Sequence, residues 1–207
     1  MSHRLVFSRG GTLLGALAIL AAAGVAIPAT AAAGTVTSLT ACQPITVPGT
    51  YRLDADVTGA GSCFAIDANN VTLMLNGHTV TGTPASGFPL GISAIGTGDK
   101  ILGPGTVTGW GDDGIDLFGS SSVRGVTVTG NFNGIEVQGA GNSVRGNTVT
   151  GNGGDGIYAD GGTTGATIIG NTATGNGGVD LVDLSFECTS NVWRGNDFGT
   201  ASPACIR

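Results

Sequence analysis

SVRGVTVTG from Ser122 and SVRGNTVTG from Ser143 differ at one residue and start 21 residues apart. The same nine-residue block returns as MLNGHTVTG from Met74, ILGPGTVTG from Ile101, TIIGNTATG from Thr167 and VWRGNDFGT from Val192. Successive copies start 27, 21, 21, 24 and 25 residues apart. A second block, G-I-x-x, follows the first four copies at Gly91, Gly114, Gly134 and Gly156, and Gly178-Val179 stands in its place after the fifth. Self-similarity at this period means stacked supersecondary units.

Each unit reads as short extended pieces. Apolar and polar residues alternate over four or five positions, and Asp113-Gly114, Asn133-Gly134 and Asp155-Gly156 punctuate them as turns. No unit has room for a helix. Leucine-rich repeats share the period but need a leucine framework that is missing, and propeller blades are about twice as long. A coil of three short strands per turn remains, in which each strand pairs in parallel with its equivalent in the next coil. The fold class expected is all-β, a parallel β-helix of about six coils.

Composition agrees. Among 207 residues, 39 are glycine, which excludes a helix bundle because each interior Gly costs a helix roughly 1 kcal/mol against Ala. Hydrophobic residues at 41% exclude disorder, and the glycines lack the three-residue period of collagen.

Residues 1–31 have the pattern of a secretory signal peptide: Arg4 and Arg9, an uncharged stretch from Gly10 to Ile27, then Ala29-Thr30-Ala31. Leu39-Thr40-Ala41-Cys42 match a lipoprotein box in residue type, but a polar spacer separates them from the apolar run. The expectation is a secreted or cell-surface protein, not held in a membrane once the signal is cleaved. Removing Arg4 and Arg9 leaves six basic against 14 acidic residues, a poor composition for binding nucleic acid. Export also makes disulfides the natural reading of four cysteines. Three pairings are possible; Cys42–Cys63 and Cys188–Cys205, one at each end of the chain, are the simplest. The organisation expected is a cap and leading segment over 32–70, coils over 71–183, and a last coil with its cap over 184–207.

Aligning the copies predicts three inward columns: Val80, Val107, Val128, Val149, Ala173 and Phe198; Ile92, Ile115, Ile135, Ile157 and Val179; and Leu75, Leu102, Val123, Val144, Ile168 and Trp193. Asn147, Asn171 and Asn196 at one turn, and Asn131, Asn152 and Asn176 at another, read as stacked amide ladders.

NVTLMLNGHTVTG from Asn70, preceded by ITVPGTYRLDADV from Ile45, resembles the opening of secreted bacterial right-handed parallel β-helix repeat proteins of the pectate-lyase-like superfold. The resemblance covers the mature chain and implies a right-handed coil. It implies activity only weakly, since such proteins include polysaccharide lyases, hydrolases, epimerases and metal-maturation factors.

Three constellations are candidates for chemistry. GDDGI from Gly111 resembles the paired-aspartate motif of polygalacturonases, which makes Asp112, Asp113 and Asp116 candidate acid–base residues. No G-H-G or R-I-K motif accompanies it, and His78 is the single histidine after the signal. Calcium-dependent lyases resemble one another in clustered acids, and here the outward column of the second strand is read as Asp116, Glu136, Tyr158 and Asp180, with Asp113 and Asp155 nearby. Asp116, Glu136 and Asp180 are the candidate calcium ligands. Arg124 and Arg145 occupy one column of consecutive coils, with Thr127 and Thr148 just across a turn, and Arg suits bidentate contact with a sugar carboxylate. Trp110, Phe132 and Tyr158 are the aromatic residues suited to stacking on sugars. The expected function is an exported, non-catalytic β-helix contacting extracellular or cell-envelope polysaccharide. The alternatives are a lyase- or epimerase-like enzyme acting on acidic glycans, and a structural surface spacer. The sequence leaves the oligomeric state open.

Overall fold

The nine-residue block folds as two short strands meeting at a glycine corner. In Ser122–Arg124 and Thr127–Thr129 the corner is Gly125, whose φ of 67° is a left-handed conformation that side-chain-bearing residues adopt at a cost; Gly146, Gly170 and Gly195 repeat it at 59°, 65° and 61°. The G-I-x-x block forms the third strand, and the chain then returns to the start of the next block. These features come from a computed structural model that describes residues 34–83, 87–185 and 189–207. The expected signal peptide therefore lies outside the described residues.

Three parallel sheets result. Sheet A orders the strands Val36–Leu39, Gly49–Leu53, Val71–Met74, Lys100–Leu102, Ser122–Arg124, Ser143–Arg145, Thr167–Ile169 and Val192–Arg194. Sheet B holds Phe64–Ile66, Ile92–Ala94, Asp113–Leu117, Asn133–Val137, Ile157–Ala159, Leu181–Asp183 and Ala201–Ser202. Sheet C holds Val57–Gly59, Thr79–Gly82, Thr106–Thr108, Thr127–Thr129, Thr148–Thr150, Thr172–Thr174 and Asp197–Phe198. Each turn of the chain visits A, C and B in that order. The solenoid has about seven turns, one more than the repeats suggest. The added turn comes from the leading segment, where Gly49–Leu53, Val57–Gly59 and Phe64–Ile66 pair with the first copies without sharing their glycine pattern.

The interior is a set of aliphatic ladders. Val80, Val107, Val128, Val149, Ala173 and Phe198 are register partners along sheet C, as expected. On sheet B the column runs Phe64, Ile92, Ile115, Ile135, Ile157 and Leu181. Leu181 stands where Val179 was expected, because Gly-Asn-Gly-Gly-Val-Asp-Leu aligns with Gly-Asn-Gly-Gly-Asp-Gly-Ile of the preceding coil and shifts the inward residue by two. On sheet A, Leu73 and Ile101 replace the expected Leu75 and Leu102 ahead of Val123, Val144, Ile168 and Trp193. The first two corners are longer: Leu73 precedes its sheet C partner Val80 by seven residues, and Ile101 precedes Val107 by six, whereas Val123 precedes Val128 by five. Leu75 is buried in its wider corner, and Leu102 points outward beside Arg124.

Cys42 and Cys63 form a disulfide across 21 residues near the N-terminal end. The second expected pair involves Cys188, which lies outside the described residues. Trp110 is 2% exposed, with its indole N–H donating to the Val80 carbonyl at 3.3 Å, so it is a core residue and not a sugar platform. Among the described residues no helix is long and apolar enough to cross a membrane.

Candidate functional site

Sheet B places Asp116 directly opposite Glu136, with Ser93 before and Tyr158 after them in the outward column. Asp113 joins them for a steric reason. A Cβ on Gly114 would lie 2.5 Å from Val128 Cγ1 and 2.6 Å from Asn131 Nδ2, so Gly114 faces the interior, as Ile115 does. Two successive inward residues break the strand alternation, which leaves Asp113 on the side of Asp116. Ligand oxygens of Asp113, Asp116 and Glu136 lie within 4.8 Å of one another.

The three carboxyls are poorly supplied with donors. Asp113 and Asp116 are 2% and 3% exposed, and Asp113 Oδ1 is buried with no hydrogen-bond partner. Gln138 Nε2 approaches both Asp116 oxygens at 3.4 Å, a long contact. Burial, and then the charge of Asp113, raise the Asp116 carboxyl to about 7. Burial, then a carboxyl–carboxyl contact with Asp113 and the charges of Asp113 and Asp116, raise Glu136 to about 9. Burial and the neighbouring Asp160 push the Tyr158 phenol up to about 12. Asp112 is raised by burial and by Asp113. Like charges opposed across strands repel, so this centre needs a proton or a cation to be at ease. Three carboxylates on a rigid sheet are the donor set of a hard divalent cation.

Asp180 is not part of this centre: Val182 takes the outward position beyond Tyr158. Asp180 aligns instead with the inward glycine of the other coils, the position of Gly156. Its Oδ1 accepts from Asn176 N and Nδ2 at 3.1 and 2.8 Å, and its Oδ2 from Gly199 N, Thr200 N and Thr200 Oγ1 at 2.9 to 3.1 Å. Burial alone would raise this carboxyl, but the donors of Asn176 and Thr200 outweigh it and the net displacement is downward.

Sheet A presents the opposite charge. Arg124 and Arg145 are register partners with exposed side chains, in a column that continues through Ile169 to Arg194, and Lys100 lies one strand before Arg124. The ion pairs among the described residues are Arg52–Asp54 and His78–Asp56, so the stacked arginines are not held by an acid. Arg145 Nε donates to Ser143 Oγ at 2.8 Å. Arg124 lines a surface cavity of about 440 Å³ with Leu102, Gly103, Pro104 and Gly125. Thr127 and Thr148 lie on sheet C, beyond the Gly125 and Gly146 corners, and so face a different direction from the arginines. Phe132, 54% exposed, remains available for stacking.

Asp113 as a third member of the acidic centre is what the repeat pattern did not convey. The signal was the invariance of the inward glycine at positions 91, 114, 134 and 156, read as a turn residue although it marks a close approach of side chains inside the coil.

Residues 90–206 match a family described as "Right handed beta helix region", and the chain belongs to that family. No curated protein and no solved structure matches the chain. The family establishes the hand of the coil and a repeat architecture; it assigns no chemistry.

Proposed function

We propose that this is an exported, non-catalytic β-helix that holds an acidic polysaccharide along the outer face of sheet A. The observation that carries the reading is the pair Arg124 and Arg145, stacked in register on adjacent strands, exposed and unpaired, with Arg124 at the rim of a cavity. Strands about 4.8 Å apart offer guanidinium groups at a regular interval, each able to take a carboxylate through two parallel hydrogen bonds. Export is supported by the pattern of residues 1–31 and by the Cys42–Cys63 disulfide. Binding of polygalacturonate by the purified protein should weaken in Arg124→Ala/Arg145→Ala, with a shallower dependence on salt, while neutral dextran is ignored by both. Equal binding of polygalacturonate by the double variant would refute the reading.

A second reading rests on the unpartnered Asp113 Oδ1: the acidic centre on sheet B takes a divalent cation, calcium being the natural choice for an all-oxygen donor set. Calcium should then raise the melting temperature of the purified protein, and Asp116→Asn with Glu136→Gln should abolish the rise. The enzyme alternative would require release of unsaturated uronate from the same polymer, measured by absorbance.

A further inference from the structure

Sheet C differs from its neighbours in its outer face. Five consecutive strands, from Thr79 to Thr174, read T-x-T, with the middle residue inward and both threonines outward in register. Thr has a high strand propensity and pairs well with itself, which would favour it anywhere on the solenoid. Yet the equivalent outward column of sheet A runs Met74, Leu102, Arg124, Arg145, Ile169, and that of sheet B runs Ser93, Asp116, Glu136, Tyr158, Val182. Uniformity is confined to one sheet, and strand propensity does not explain it.

Three further properties belong to that sheet. No charged residue stands between Asp56 and Asp197 in its two outward columns, although acids outnumber bases in the chain by 14 to 8. The hydroxyls of the T-x-T threonines take no part in the hydrogen bonds of the fold, whose polar side-chain contacts lie at the corners and on the other faces. The rims fall away: Gly109, Gly130, Gly151 and Gly175 follow the strands, and beyond them Trp110, Asn131 and Asn152 turn inward, while Val126, Asn147 and Asn171 do so on the other side. The result is a neutral array of hydroxyl and methyl groups on strands in register, bordered by glycines and by residues that turn inward. Its mesh is about 4.8 Å between strands and roughly 6.6 Å along them.

We propose that this face binds the surface of ice. Hexagonal ice exposes water oxygens on rectangular nets of closely similar mesh, so a rigid array of this kind can seat an ordered water layer in register with the crystal. Threonine suits the task because β-branching fixes χ1, so little side-chain freedom is lost on binding. Its hydroxyl anchors water while its methyl restricts the water beside it, and many weak contacts sum over the array. Neutrality matches the partner: a charged head group would orient its own hydration shell against the lattice. Sheet C is separate from the faces discussed above, and the inference does not rest on the polysaccharide reading.

The test is nanolitre osmometry with an ice-recrystallisation assay on the purified protein. A freezing point held below the melting point, faceted crystals, and enrichment of the protein in slowly grown ice are expected. Thr129→Tyr and Thr150→Tyr, which place a bulky ring in the middle of the net, should each abolish the freezing gap while circular dichroism and melting temperature stay those of the parent. Thr129→Ser should lose part of it, and Thr72→Lys on sheet A none. Absence of a freezing gap and of enrichment in ice at millimolar protein would overturn the proposal. So would retention of full activity by the Tyr variants, or a loss in Thr72→Lys equal to theirs. Sedimentation with insoluble cellulose or chitin in place of enrichment in ice would assign the face to a crystalline polysaccharide and also overturn it.

Discussion

Two stacks of polar side chains flank Gly114 and have opposite fates. At one corner Asn131, Asn152 and Asn176 form a ladder in which each Oδ1 accepts from the backbone N–H and the side-chain Nδ2 of the preceding member, at 2.9 to 3.1 Å. Each Nδ2 also donates to the carbonyl of Val107, Val128 or Val149. Trp110 N starts the ladder and Asp180, an acceptor alone, ends it where no further amide follows. On the other side of Gly114, Asp113, Asp116 and Glu136 meet with no such complementarity. An amide carries donor and acceptor and can repeat indefinitely; a carboxylate carries acceptors only, so a stack of them is stable only with something positive added.

The largest effect should come from breaking the ladder. Asn152→Leu leaves the backbone N–H of Asn131 without its acceptor and takes one bond each from Asn131 Nδ2, the Val128 carbonyl and Asn176 Oδ1, and should cost roughly 4 to 6 kcal/mol, one to three for the orphan and about one for each further bond lost, read by denaturant unfolding. Asn152→Asp sharpens the comparison, because it puts an acceptor where Nδ2 donates and imports the problem of the acidic centre. Its stability should fall as pH rises, whereas the parent ladder titrates at its Asp180 end alone, whose contribution is lost as pH falls.

Gly114→Ala comes next, since its Cβ would press on Val128 in the core and on Asn131 of the ladder. A loss of about 2 to 3 kcal/mol is expected from overpacking. A loss below half a kcal/mol would mean that the coil can open there, and that Asp113 is not held outward by this contact.

Smaller effects are expected from the acidic centre itself. In metal-free protein the native carboxyls of Asp116 and Glu136 bind protons more tightly than in the unfolded chain, with affinities raised from 3.8 to about 7 and from 4.5 to about 9. The native state therefore holds more protons across this window, and stability should be full below about pH 4 and decline as pH rises toward 9. Glu136→Gln should flatten that decline and leave the variant more stable than the parent at pH 8.5, in thermal melts run with a chelator. A parent whose melting temperature rises over the same range would contradict the reading of three opposed carboxyls. The smallest effect belongs to Arg124→Ala and Arg145→Ala, both exposed and unpaired, each expected within about 0.5 kcal/mol of the parent.

How far residues can be read depends on what each pattern reports. The T-x-T strands and their valine column were legible because a single inward residue between two outward ones repeats without insertion. Leu73 and Ile101 depart from expectation because corner length varies, and a corner one or two residues longer moves every residue on one side of it; Leu181 does so because Gly178-Val179 imitates the Gly-Ile pair of the other coils, although Leu181 follows Ala173 by the same eight residues that separate Ile157 from Val149. Asp180 leaves the outer face for the same reason, and Asp113 joins the acidic centre because strand alternation fails at Gly114.

The sequence by itself determined the repeat, the absence of helices from the repeated units, the parallel coil, the aliphatic interior and the asparagine ladders. Each of these follows from local spacing and from which groups must be buried. The tertiary structure alone decided which side chains share a face. Sequence separation across a coil is 20 residues or more, so the meeting of Asp113 and Asp116 with Glu136, the stacking of Arg124 on Arg145, and the sorting of threonine to one sheet, acid to another and base to the third all depend on corner lengths and on the steric demand of one inward glycine.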